Sequence, residues 1–213
     1  MKDALKIVTD SGVVAIIRTN CKEGLIETVH AISEGGIKAI EITTNTPDAL
    51  NVIADLSTIY DRDFAIGAGT VLDAKAAEAA IKHGAEFLVT PNFDRTAITL
   101  AKKHGIMICS GALTPTEIIN AYEAGSQIVK VFPSGSLGPG YIKALKGPLS
   151  HIPLMAVGGV NTGNVTEFFK CGASAVGVGG GLIKNDLIAN GNFGAITDLV
   201  ARFVKVVKQA RNI

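Results

Sequence analysis

A unit repeated along the whole chain constrains its fold more than any other feature: an amphipathic stretch ending in Gly, a short β-branched run, then a polar or glycine-rich turn. It is plainest in AISEGGIKAIEIT, AIKHGAEFLVTPN, AKKHGIMICSG, AYEAGSQIVKVFP and FKCGASAVGVGG. In each, Gly stands where a helix needs a left-handed C-terminal residue, and a strand follows at once. With the less regular units included, strands are predicted near 13–18, 39–43, 64–67, 87–89, 106–109, 128–132, 154–157 and 175–177. Strand and helix alternate without adjacent hairpins, which calls for a parallel sheet. Eight such units in 213 residues favour a closed α/β architecture, a small (β/α)8 or TIM barrel, over an open doubly wound sheet. Thr46-Pro47, Thr114-Pro115 and Asn161-Thr162 read as N-caps opening helices, the first two with Pro at the first helical position.

The length suits one barrel domain spanning 1–213, and no linker or low-complexity segment divides it. With 20 basic and 19 acidic residues the chain has no global attraction for nucleic acid or an anionic membrane, so any anion site must be local. Lys2, Asp3, Lys6 and Asp10 interrupt the N-terminus before an apolar secretory segment could form, and no later apolar run reaches membrane-spanning length. Cys21, Cys109 and Cys171 are widely spaced, with no C-x-x-C pair, which favours reduced thiols in a cytoplasmic protein over disulfides or a zinc site.

In such a barrel the chemistry lies at the C-terminal ends of the strands. Lys130 in IVKVF shares a face with Ile128 and Phe132, and one face of a barrel strand is the interior. Burying an ammonium is costly unless it is paired, and an apolar setting favours the neutral amine that attacks carbonyls. Glu41 in AIEIT repeats the pattern with Thr43 on its face, and a general acid/base belongs there. A structural ion pair between Glu41 and Lys130 is the plain alternative; two interior charges near strand ends weigh toward a functional site. Arg18, with Val14 and Ile16 on its face, can clamp a carboxylate or phosphate, or form an ion pair at the barrel mouth. The runs VGGVN and GVGGG follow the last two strands, where barrels commonly cradle a phosphate on backbone N–H groups. His83 and His104 precede helix-ending glycines, and His30 and His151 lack a metal-binding spacing, so no catalytic metal is expected. Cys109 reads as a small buried hydrophobe, and Phe168-Phe169 as helix packing.

The segments VVAIIR, IEITTNTP, IGAGTVL, LVTPN, VKVFPSGSLGPGYIKALKGP, AVGGVN and VGVGGGL, in this order and spacing, resemble the 2-keto-3-deoxy-6-phosphogluconate and 4-hydroxy-2-oxoglutarate aldolases over essentially the whole chain. The resemblance implies a class I aldolase with Lys130 as Schiff-base lysine and Glu41 as acid/base residue. It places Thr70 and Pro91 at the keto-acid pocket and Gly158, Gly159, Gly179 and Gly180 in phosphate-binding loops. Arg18, Thr43, Asn45 and Phe132 complete the candidate substrate contacts. Many members carry Arg where this chain has Asn45, and Ser where it has Gly181; Arg18 with Asn45 looks more like the branch acting on the phosphogalactonate substrate. The resemblance further implies pyruvate and a small keto acid as partners, no organic cofactor, and a homotrimer. Two rival readings, a phosphosugar epimerase or isomerase and a non-catalytic phosphometabolite-binding barrel, share the glycine loops and leave Lys130 unexplained.

Overall fold

In the computed structural model, which describes residues 3–21, 23–60 and 63–212, parallel strands close into an eight-stranded barrel in sequence order. The strands are β1 (Val13–Ile17), β2 (Ala39–Thr43), β3 (Ala65–Gly69), β4 (Phe87–Val89), β5 (Met107–Ala112), β6 (Ile128–Val131), β7 (Leu154–Val157) and β8 (Ala175–Val178), with β1 pairing β8 to complete the ring. Before β1 stands α1 (Ala4–Ser11); between the strands run α2 (Leu25–Glu34), α3 (Ala49–Ile59), α4 (Ala74–Lys82), α5 (Arg95–Lys103), α6 (Pro115–Ala124), α7 (Pro139–Lys146) and α8 (Val165–Lys170). After β8 come the short α9 (Asn185–Ala189) and the long α10 (Phe193–Arg211). The closed barrel bears out the α/β expectation over the open sheet.

Alternation along the strands sorts side chains into two cores. One face of each strand packs under the helices, as with Ile40 and Ile42 of β2 and Val129 and Val131 of β6. The opposite face fills the barrel with Val14, Ala39, Ala65, Phe87, Met107, Cys109, Ile128 and Met155. Ala4 and Val8 of α1 join this inner cluster and close the N-terminal end of the barrel; sequence patterning assigned no helix there. Met1 and Lys2 lie outside the described residues.

The helix stops follow the glycines. Gly36, Gly84, Gly105, Gly125 and Gly172 all have positive φ, the conformation in which a Cβ is penalised. Thr114 caps α6 as expected, in a capping box closed by Glu117. The other two helix starts differ. α3 begins at Ala49 because Asp48 sits in the left-handed region at φ 61°, and Thr46 is buried with its hydroxyl turned to Thr43 at 3.1 Å. α8 begins at Val165, and Asn161 instead accepts from the Gly163 N–H at 2.9 Å within the preceding turn. β3 and β5 run further than expected, to Gly69 and Ala112, because their glycine-containing ends are held in the ladders with β2 and β6. No helix of the described residues is long and apolar enough to cross a membrane.

Candidate active site

The inner face of β6 brings Lys130 to the C-terminal end of the barrel, in register with Gly111 on β5 and Met155 on β7. Lys130 is 4% exposed, and its Nζ lies 5.1 Å from the centroid of the Phe132 ring. Glu41 sits on the inner face of β2, in register with Ile16 and Gly67, and is 1% exposed. A Cβ on Gly69 would stand 2.6 Å from Glu41 Oε1, so the glycine at the end of β3 makes room for the carboxylate. Both charged groups line one cavity of about 370 Å³ that opens at this end of the barrel.

The two do not form a tight ion pair. Glu41 Oε2 is buried without a hydrogen-bond partner, which is costly for an ionised group. Burial pushes the Glu41 carboxyl above the usual carboxylate range, partly offset by the charges of Lys130 and Arg18. An unsatisfied acid and a buried amine lining one open cavity differ from a structural pair, which would have closed the contact. Cys109 lies beneath them, fully buried, its thiol pushed up by burial and the Glu41 charge; it is packing, as its sequence context suggested.

The cavity's far wall is backbone. Gly158 and Gly159 adopt φ of 90° and 74°, and the turn they form packs against the loop after β6, where a Cβ on Gly135 would lie 2.7 Å from the Gly158 oxygen. Ser134, to which sequence reasoning gave no role, fixes that loop: its hydroxyl donates to Val131 O at 2.6 Å and accepts from the Val157 N–H at 3.3 Å. The N–H groups of Gly159, Val160, Gly180 and Gly181 donate to no acceptor among the described residues. These two adjoining turns thus carry four backbone donors without an acceptor beside the cavity, the kind of feature from which anion nests are built.

Of the predicted site residues, the cavity unites Arg18, Glu41, Lys130, Phe132, Gly158, Gly159, Gly179 and Gly180. Thr43, Asn45, Thr70 and Pro91 do not line it. Thr43 is fully buried, engaged with Thr46. Asn45 is exposed on the turn after β2. Thr70 stands at the rim, receiving a bond from Arg18 Nη2 at 3.3 Å; its φ of 57° is strained for a β-branched residue. Pro91 lies over β5, where a Cβ on Gly111 would meet its carbonyl carbon at 2.2 Å. Val157, Val160, Asn161, Gly177 and Gly181, all within the runs VGGVN and GVGGG read as a phosphate cradle, also line the cavity, as does Ile16, read only as sharing the Arg18 face. Asn161, read as an N-cap, instead turns its amide to the Gly159 oxygen, as does Asn164. At Gly181 a Cβ would fall 2.8 Å from the Val160 oxygen, so a serine there would require the two turns to move apart. No group of three His, Cys, Asp or Glu side chains among the described residues is placed to hold a metal ion.

Comparison with known proteins agrees with this geometry. The family model described as KDPG and KHG aldolase matches residues 5–199. A 2-dehydro-3-deoxy-6-phosphogalactonate aldolase of Escherichia coli K12 is 35% identical over 198 residues, covering 92% of this chain and 95% of that protein. A solved structure described as native KDPGal superposes with a TM-score of 0.87 at 34% identity, covering 94% of this chain and 96% of the other. A KDPG aldolase from Legionella pneumophila, solved with pyruvate captured as a covalent carbinolamine intermediate, superposes with a TM-score of 0.86 at 26% identity, covering 94% and 97%. An interior lysine and an unpaired acid at the mouth of a closed barrel, together with a family match spanning most of the sequence, lead to one conclusion: the chain belongs to the KDPG and KHG aldolase family.

Proposed function

We propose that this protein is a class I aldolase that cleaves a 2-keto-3-deoxy-6-phospho sugar acid to pyruvate and glyceraldehyde 3-phosphate, or 4-hydroxy-2-oxoglutarate to pyruvate and glyoxylate. The observation that carries the reading is the buried Lys130 amine facing the unpartnered Glu41 carboxyl in one cavity walled by free N–H groups. The Lys130 nitrogen adds to the C2 carbonyl, and loss of water from the carbinolamine gives an iminium that accepts electrons. Glu41, through a water, takes the proton of the C4 hydroxyl; the C3–C4 bond breaks, its electron pair passing to the iminium to give an enamine, and the aldehyde leaves. Protonation at C3 and hydrolysis release pyruvate and restore the amine. The imine is itself the electron sink, so the reaction calls for no organic cofactor. Arg18 at the mouth is suited to the substrate carboxylate or phosphate.

The likeness to the phosphogalactonate enzyme favours the galactonate epimer. Comparing pyruvate release from the two phosphorylated epimers and 4-hydroxy-2-oxoglutarate tests this. Turnover of none of them, or turnover without pyruvate, would overturn the aldolase reading.

The phosphate wall gives a clean substitution. A Cβ on Gly180 would meet nothing within 4 Å, and its φ is not positive, so substitution there strains neither the backbone nor the Cβ packing, and Gly180 lines the cavity. Gly180→Val is expected to raise KM for a phosphorylated substrate about tenfold or more, as for loss of one charge-assisted hydrogen bond, with the melting temperature and KM for 4-hydroxy-2-oxoglutarate nearly unchanged. Equal increases for both substrates would count against a phosphate site.

The assembly proposed with this reading is a homotrimer. Exposed Ile59, Leu72, Ile119, Tyr122 and Leu137 supply apolar surface that self-association would cover. Light scattering at micromolar concentration should give three times the chain mass, and a monomer would contradict it.

A further inference from the structure

We propose that Asn164 is a positioning residue for phosphate recognition, its amide holding the turn after β7 so that the Val160 N–H faces the cavity. The inference rests on the phosphate reading above. By position Asn164 is the N-cap of α8, yet its side chain makes no capping bond to that helix. It reaches back over the turn instead: Nδ2 donates to the Gly159 oxygen at 2.9 Å, and Oδ1 accepts from the Asn161 N–H at 2.8 Å. A second amide, Asn161 Nδ2, reaches the same Gly159 oxygen at 3.2 Å.

These bonds fix a peptide that glycine would otherwise leave loose. Gly158 and Gly159 have no Cβ to restrict them, so their positive φ values need an outside constraint to persist as one conformer. In a trans peptide the N–H points opposite to the C=O. Clamping the Gly159 oxygen against the two asparagines therefore directs the Val160 N–H away from them. The Val160 side chain is buried in the core under the helices, so what this residue presents to the cavity is its backbone. That N–H has no acceptor among the described residues, and the free N–H groups of Gly180 and Gly181 belong to the adjoining turn, where a Cβ on Gly181 would lie 2.8 Å from the Val160 oxygen. Asn164 thus sets the orientation of one member of a convergent donor set without itself contacting the ligand.

The test measures the whole enzyme with Asn164→Ala and with the isosteric Asn164→Asp, which keeps the acceptor for Asn161 but loses the donor to Gly159. Inorganic phosphate is the probe, read as a competitive inhibitor and as a shift in melting temperature, beside KM and kcat for phosphorylated and unphosphorylated substrates. For either variant the inhibition constant for phosphate and KM for the phosphorylated substrate should rise about tenfold, the scale of one hydrogen bond to a charged group. The stabilisation by phosphate should be lost, while kcat and KM for the unphosphorylated substrate stay within about twofold. If the alanine variant fails to fold, the aspartate variant carries the comparison. Unchanged phosphate inhibition, or equal loss for both substrates, overturns the role of Asn164. Failure of the underlying site reads differently: wild-type enzyme that neither binds phosphate nor prefers phosphorylated substrate overturns both, whereas loss of phosphate binding in Gly180→Val but not in the Asn164 variants overturns only this proposal.

Discussion

Lys130→Arg is expected to lower aldol cleavage by a factor on the order of 10³ or more, the scale seen when a covalent nucleophile is removed, while the barrel stays folded. Arginine retains the positive charge that faces Glu41 but has no primary amine to form an iminium. The substitution therefore separates charge from covalent chemistry at a site where both are plausible uses of a buried lysine. Lys130→Met supplies a second variant should the larger guanidinium disturb packing beside Phe132. Retention of more than a few per cent of wild-type cleavage in either folded variant would remove Lys130 from the covalent step.

Glu41→Gln should cut cleavage by about 10²-fold or more, the usual contribution of a general base, while pyruvate still condenses on Lys130. The same variant should also change the dependence of stability on pH. Burial holds the Glu41 carboxyl above its ordinary range in the folded protein, so the unfolded chain releases that proton first as pH rises. Wild-type stability is then full below the ordinary carboxylate range and is lost as pH rises through the raised value. Glutamine is neutral throughout. The melting temperatures of the two proteins should coincide in acid and diverge in favour of the glutamine variant toward neutral pH, with a limiting slope of about 1.4 kcal/mol per pH unit. A glutamine variant less stable than wild type at neutral pH would show that ionised Glu41 is stabilised by Lys130 and Arg18, and that the pair is structural.

The barrel was legible because parallel strands covered on both faces read as short apolar runs, and helices ending in glycine mark the boundaries between them. Against such runs Lys130 and Glu41 stand out, and both occupy the interior that alternation assigns. The ends of β3 and β5 were not legible for a physical reason. Gly67-Ala68-Gly69 and Ser110-Gly111-Ala112 look like turns, but Gly69 leaves room for Glu41, and Gly111 for the backbone at Pro91. Those demands come from neighbouring strands and leave no local trace. Likewise, no spacing rule reveals that the Thr43 hydroxyl is engaged with Thr46, or that Asn161 and Asn164 fold back on Gly159. Arg18 was placed correctly by face and position, whereas Asn45 and Pro91 were carried by motif matching and stand outside the cavity.

Borohydride reduction in the presence of pyruvate, followed by peptide mass analysis, examines the covalent step without depending on the choice of sugar acid. Formation of the Lys130 imine predicts one reduced pyruvate adduct per chain, located on Lys130 and absent from Lys130→Arg, with borohydride alone leaving the protein active. No adduct, or an adduct on another lysine that persists in the Lys130 variant, would contradict it.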